Sequence, residues 1–312
     1  MDYLLRPVSL FLIVCAGYLL KRLRVFGEDD YQIIAKIVLN VTLPAVILRA
    51  FDRFSGQVEL FWIVAMGFVC AVLPLAAFYF LTKGQPRDRR VFAMINASGY
   101  NIGNFALPLA QEFVSATGLV SICMFDVGNA LVVTGGSYVL TAALLHTEEG
   151  AVRSRVETVK LFLRRLFSSP PIDAYLIMFL LAVAGLRLPE WVGTIVDPIA
   201  ESNSFLAMFM IGLMLKLEVK RQFCFDALRM VLLRLLYGAA WSALLFFCTP
   251  FALEVRQALA ILPLAPIGSL APVYTERCHG SGGLSSFANS LSILLSFFTM
   301  IGVLLLTGAV GG

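Results

Sequence analysis

The chain has 312 residues, 59% of them hydrophobic and 14% charged, with a net charge of +4 and a mean hydropathy of +0.86. A soluble domain carries about 25% charged residues, so this composition describes an integral membrane protein and excludes a soluble enzyme domain or a nucleic-acid binder. Its six cysteines stand singly without CxxC spacing, and the two histidines fall in predicted loops, so no disulfide, metal site or cofactor is expected.

Ten apolar runs are long enough to cross a bilayer, at about 20 residues each. The first, 4–20, is followed by Lys21, Arg22 and Arg24 instead of a small-residue cleavage site, so it reads as a span and not as a removable signal. The second, 31–50, contains Asn40-Val41-Thr42-Leu43-Pro44, a polar patch with a helix break near mid-depth. A third run covers 58–82. The fourth, 91–111, is interrupted by Tyr100-Asn101-Ile102-Gly103-Asn104-Phe105-Ala106-Leu107-Pro108. Gly and Pro remove helical hydrogen bonds, and in hydrocarbon an unpaired backbone group costs several kcal/mol. Such a break is tolerated only where protein or a wet cavity covers it. The fifth run, 117–145, carries Asp126 roughly 14 Å along its helix at 1.5 Å per residue, followed by Gly128 and Asn129.

A polar loop, 146–169, separates the halves. Within it Val156, Val159, Phe162, Leu163 and Leu166 recur at helical spacing between basic residues, which suits an amphipathic helix on an acidic inner leaflet. The sixth and seventh runs cover 172–186 and 191–215, the latter with Asp197, Pro198, Glu201, Ser202, Asn203 and Ser204. In the eighth, 226–249, Arg229 and Arg234 either snorkel or pair with a buried acid. The ninth, 255–275, repeats the fourth-span oddity as Ala265-Pro266-Ile267-Gly268-Ser269-Leu270-Ala271-Pro272; the tenth is 284–306. Between them, Gly280-Ser281-Gly282-Gly283 has no following Lys and reads as a turn rather than a phosphate loop.

Ten spans put both termini on one side. Sixteen Lys and Arg fall in the loops of one face, against Arg6, Arg49, Arg53, Arg187 and Arg256 on the other. The positive-inside rule therefore places both termini outside the cytoplasm. Five spans per half give halves of opposite orientation. Ala93, Ile102 and Gly103 recur as Ala258, Ile267 and Gly268, 165 positions on, and Asn129-Ala130-Leu131 echoes Asn289-Ser290-Leu291. The expected fold is thus all-α and polytopic: ten transmembrane helices as two inverted five-helix repeats, 1–150 and 170–312, joined by a cytoplasmic linker at 151–169.

Matching breaks in two halves point to a carrier's solute site. The half-helix beyond each break offers N–H groups and a partial positive charge that favours an anion. Asn101 and Asn104 add side-chain donors and Ser269 a hydroxyl. Pro108, Pro266 and Pro272 hold the breaks open, while Gly103 and Gly268 let two backbones approach. Asn40, Pro44 and Asn129 complete the candidate set for a small carboxylate. Asp126 and Glu201 are the proton-coupling candidates. The competing readings are a Pro-kinked structural helix in place of the site, and a hydrogen-bonded Asp126 without a transport role.

Tyr100 to Leu109, Asn40 to Pro44 and Phe125-Asp126-Val127-Gly128-Asn129 together resemble the auxin efflux carrier family, as does Ser168-Ser169-Pro170-Pro171 entering the sixth span, and the resemblance covers essentially the whole chain. That family holds plant auxin exporters and bacterial malate or malonate permeases. The resemblance implies a scaffold of spans 1, 2, 6 and 7, a mobile transport domain from spans 3–5 and 8–10, and elevator-type alternating access in a plasma membrane, here a bacterial inner membrane. It also implies a homodimer through the scaffold, and a substrate site lined by Asn101, Asn104, Pro108, Pro266 and Pro272. Ser269 and Pro266 stand where symmetry would offer asparagines, which argues against auxin-like specificity, and the short central loop resembles bacterial members. A sodium-coupled carrier of the same fold is the near alternative. An intramembrane enzyme is a distant one, since no nucleophile–base pair, aspartate pair or metal set is evident.

Overall fold

The computed structural model describes residues 2–52, 60–147, 170–215 and 221–309, and every regular element among them is a helix. The first half contains α1 (Asp2–Arg22), α2 (Tyr31–Ile37), α3 (Leu43–Asp52), α4 (Leu60–Leu81), α5 (Arg87–Ala97), α6 (Leu107–Ala110), α7 (Ala116–Leu131) and α8 (Ser137–Leu145). The second contains α9 (Pro170–Val183), α10 (Glu190–Met214), α11 (Arg221–Phe247), α12 (Leu253–Ile261), α13 (Ala271–Arg277) and α14 (Gly282–Leu306). The expected amphipathic helix at 151–169 lies outside the described residues.

Five helical stretches are long and apolar enough to cross a membrane: Tyr31–Ala50, Phe61–Leu81, Ala116–Leu145, Phe223–Phe247 and Gly282–Leu306. They coincide with the second, third, fifth, eighth and tenth expected spans. The fourth and ninth lack one continuous helix of that length because the chain is interrupted where Gly and Pro cluster. There α5 ends at Ala97 and α12 at Ile261.

Two further interruptions share a sequence cause. Asn40-Val41-Thr42-Leu43-Pro44 and Asn104-Phe105-Ala106-Leu107-Pro108 have the same Asn-x-x-Leu-Pro pattern, and each carries a π turn, Val38–Thr42 and Ile102–Ala106. Proline has no N–H for the carbonyl four residues back and its ring crowds that carbonyl. The chain responds by widening: Leu43 N–H reaches Val38 O and Leu107 N–H reaches Ile102 O. A third π turn, Val132–Gly136, separates α7 from α8.

Two sets of helix contacts stand out, joined to each other by α3 against α7 and α10 against α6. In one, α10 lies along α1, α2 and α3, and α9 along α3. In the other, α4 packs on α7, α7 on α12, and α11 and α13 on α14, with α5 touching α4, α8 and α13. Helices in lipid associate by close packing of small residues, and both groups do so at glycine. A methyl on Gly67 of α4 would overlap the Phe125 carbonyl of α7, and one on Gly128 would overlap the Val64 carbonyl; Gly17 and Gly212 bring α1 and α10 together in the same way. Lys21, in the last turn of α1, donates to Leu215 O at 2.5 Å and so satisfies a carbonyl at the C-terminal end of α10.

Candidate functional site

The two breaks meet. After α5, Ser98 is extended, Gly99 turns with φ +65°, and Asn101 stands outside the helix, just before the π turn, at φ −80°, ψ 72°. After α12, the 3₁₀ turn Leu262–Leu264 gives way to extended Ala265, and helix resumes only at Ala271. Asn101 N–H donates to the Pro266 carbonyl at 3.0 Å, a backbone bond between the unwound strands of the two halves. Val133, from the π turn after α7, stands against both segments. A methyl on Gly99 would overlap its Cγ1, and one on Gly268 would lie 3.4 Å from the same atom.

Arg234 of α11 ties the breaks together. It is 2% exposed. Its Nη1 donates to the Asn96 carbonyl at 3.1 Å and the Ala97 carbonyl at 2.8 Å. Its Nη2 donates to the Gly99 carbonyl and, at 3.3 Å each, to the Ala265 and Pro266 carbonyls. The guanidinium also stands 4.9 Å from the centroid of the Tyr100 ring, a cation–π contact that strengthens away from water. The expectation of a snorkelling or acid-paired arginine is corrected: the partners are carbonyls at the ends of α5 and α12. No sequence spacing could find them, since they lie 31 to 138 residues away; an arginine two turns into an apolar span was the one signal.

Each unwound strand is also held by a side chain of the following long span. Asn129 Oδ1 accepts from Tyr100 N–H and Asn129 Nδ2 donates to Tyr100 O, both at 2.8 Å, so the amide pairs with the strand as a neighbouring backbone would. Nδ2 also donates to Asp126 Oδ1 at 2.9 Å. In the second half Ile267 N–H donates to Ser292 Oγ at 3.1 Å. Ser292, three residues past Asn289, therefore does there what Asn129 does in the first half. Below the breaks, buried Asn96 donates to Thr275 Oγ1 at 3.2 Å and accepts from Ser285 Oγ at 2.6 Å, linking α5, α13 and α14.

Not every polar group is spent. Asn104 Oδ1, Ser269 Oγ and Asn289 Oδ1 are buried without a hydrogen-bond partner. Buried polar atoms are nearly always paired, so the orphans in the two interrupted segments, Asn104 Oδ1 and Ser269 Oγ, invite a ligand or water. Asn104 lies in the π turn Ile102–Ala106 that leads into α6, and Ser269 in the turn two residues before α13, so each stands close to the first turn of helix after a break, where N–H groups have no intrahelical acceptor. The Asp126 carboxylate stands at the same place in the first half, with Oδ2 3.4 Å from where a Gly103 methyl would be.

Gly103 and Gly268 do not bring two backbones together as expected. Their nearest neighbours are the Asp126, Leu43 and Val133 side chains. Asn101 is buried with its amide committed to Pro266, so that amide is not bare. Pro108 is buried and its carbonyl accepts from Ser204 Oγ at 3.0 Å; Pro266 is buried, and Pro272 sits in the first turn of α13. Pro44 follows the π turn of the second span, whose Leu43 reaches Gly103.

Two candidates lie apart. Asn40 is exposed and its Nδ2 folds back onto Lys36 O at 2.7 Å. Its neighbour Thr42 is the one that points inward, donating to Asn203 Oδ1 at 2.8 Å, while Asn203 Nδ2 donates to Gln111 Oε1 at 3.1 Å. The Glu201 side chain is 73% exposed and lies 3.9 Å from Arg49, a surface ion pair rather than part of the crossover.

The profile of the membrane transport protein family matches residues 7–304. An uncharacterized transporter of Methanothermobacter thermautotrophicus is 27% identical over 241 residues, 76% of either chain. The uncharacterized transporter YfdV of Escherichia coli K12 is 26% identical over 243 residues, 73% of this chain and 74% of the relative.

Proposed function

Because the chain belongs to the membrane transport protein family, the family of the auxin efflux carriers, we propose that it is a secondary carrier of small organic anions working by alternating access. One observation carries this reading: the two breaks are joined through Asn101 N–H and Pro266 O, with unpartnered Asn104 Oδ1 and Ser269 Oγ in the segments that lead into the helices beyond them. A hydroxyl donor and an amide that both donates and accepts, beside helix N-termini, suit a carboxylate that must bind and then leave.

The proposed architecture is ten spans in two inverted repeats with crossed fourth and ninth spans. The contacts of α10 with α1, α2 and α3, and of α9 with α3, support a scaffold of spans 1, 2, 6 and 7. The remaining group would be the moving, elevator-type unit, and the scaffold would form the face of a homodimer. The charge asymmetry of the loops supports external termini in a plasma membrane. Asp126 supports proton coupling over a sodium cycle. Its carboxylate, beside Gly103, would repel an anion bound at the first break, and a proton arriving with that anion would cancel the repulsion. An intramembrane enzyme is the more distant reading, since the family and the relatives that the chain matches are transporters.

Uptake of labelled mono- and dicarboxylates into liposomes containing the purified protein tests the reading. Saturable uptake of at least one carboxylate, reduced about tenfold or more in Asn104→Ala, is expected. Liposomes that accumulate none of them, under either an inward proton gradient or a membrane potential, refute it.

A further inference from the structure

Arg234 has an unusual set of partners for a buried cation. Among the described residues no carboxylate pairs with it. Its counter-charge is supplied by backbone carbonyls: Asn96, Ala97 and Gly99 at the end of α5, and Ala265 and Pro266 beyond α12. A helix C-terminus carries a partial negative charge of about half a unit. Two such ends sum to roughly one negative charge, which one guanidinium neutralises. Taking a full charge out of water costs several kcal/mol even after relaxation, so a cation is held here only because the two breaks together make an oxygen-lined socket for it. Unwound carbonyls and half-helix C-terminal ends are the groups with which discontinuous-helix carriers coordinate sodium. Here those oxygens are engaged by a side chain.

We propose that the crossover is a monovalent-cation site, built from the carbonyl ends of both broken spans and permanently filled by the tethered guanidinium of Arg234. A tethered ion cannot be carried across and released, so no free sodium is taken up at this site in the wild-type protein. Removing the side chain uncovers the oxygens, so a variant without it takes a free cation in its place.

The test uses melting temperature and needs no substrate, so it stands even if the carboxylate reading of the site fails. The purified full-length protein is melted in choline chloride, sodium chloride and ethylguanidinium chloride at equal, low-millimolar concentration. Wild type is expected to melt at one temperature in all three. Arg234→Ala should melt lower in choline and recover by about 3 °C or more, saturably, with sodium or ethylguanidinium. Arg234→Lys keeps the charge but not the fork, and should melt between the two without responding to added cations. A sodium-dependent rise in wild type overturns the proposal, as does an Arg234→Ala protein that ignores every cation. Should Arg234→Ala be unrecoverable in choline, Arg234→Gln takes the same three arms. Failure to recover either variant when ethylguanidinium is present throughout extraction also overturns it.

Discussion

Replacing Asn129 with alanine separates a strut from a ligand. The amide makes two 2.8 Å bonds to the backbone of Tyr100, one to its N–H and one to its carbonyl, at a site with no exposed surface. Alanine leaves both backbone groups buried and unpaired, and each such loss costs about 1–3 kcal/mol. A total near 3 kcal/mol is expected, at the lower half of the sum because water can follow the vacated volume. In a chain this long that is a fall in melting temperature of roughly 5 °C or more. Asn129→Asp retains the acceptor for Tyr100 N–H but loses the donor and sets a second carboxylate against Asp126 Oδ1, now 2.9 Å from Nδ2. Its loss should be larger at pH 8 than at pH 5, where the introduced acid can take a proton and donate as the amide did. Differential scanning fluorimetry in detergent, with and without carboxylates, reads both effects. An alanine variant that melts like wild type yet no longer responds to a carboxylate would refute this reasoning and make Asn129 a ligand instead.

Gly99→Ala asks for a left-handed φ of +65° and a methyl where Val133 Cγ1 stands; about 1–2 kcal/mol from the backbone plus 1–3 kcal/mol from overpacking is expected. The companion change Val133→Ala should recover the second part but not the first, which a double-mutant cycle of melting temperatures measures. Asn104→Ala and Ser269→Ala remove atoms that have no protein partner, so their melting temperatures should stay within about 2 °C of wild type while carboxylate uptake falls about tenfold or more, as for the loss of a 1.4 kcal/mol contact. Asp126→Asn should abolish the dependence of uptake on a proton gradient. Glu201→Gln should change neither that dependence nor stability by more than about 1 kcal/mol, since its pair with Arg49 is an exposed one.

The breaks were legible because their cause is local: Gly and Pro delete backbone hydrogen bonds wherever they fall, and Pro108, Pro266 and Pro272 all mark places where regular helix stops or restarts. The spans were legible for the same reason, since hydropathy is a property of short windows. The partners of the freed groups were not legible. The carbonyls that Arg234 gathers, the Tyr100 strand that Asn129 pairs with, and the Asn96–Thr275–Ser285 link all join residues far apart in sequence. Facing was the other casualty. A π turn inserts an extra residue and rotates the succeeding helix by about 100°, the angle of one residue at 3.6 per turn. In the patch Asn40–Pro44, Asn40 and Thr42 are two residues apart and so point to different faces; Thr42 meets Asn203 and Asn40 turns outward. The sequence pattern located a polar patch without showing which of its members faces in.

An electron cryomicroscopy reconstruction with the carboxylate that most raises the melting temperature bears most directly on the whole account. Carboxylate density within hydrogen-bonding distance of Asn104 and Ser269, with Arg234 still seated on the carbonyls of both unwound strands, is the predicted result. Density on the far side of the scaffold, or fourth and ninth spans that run as continuous helices, would contradict it.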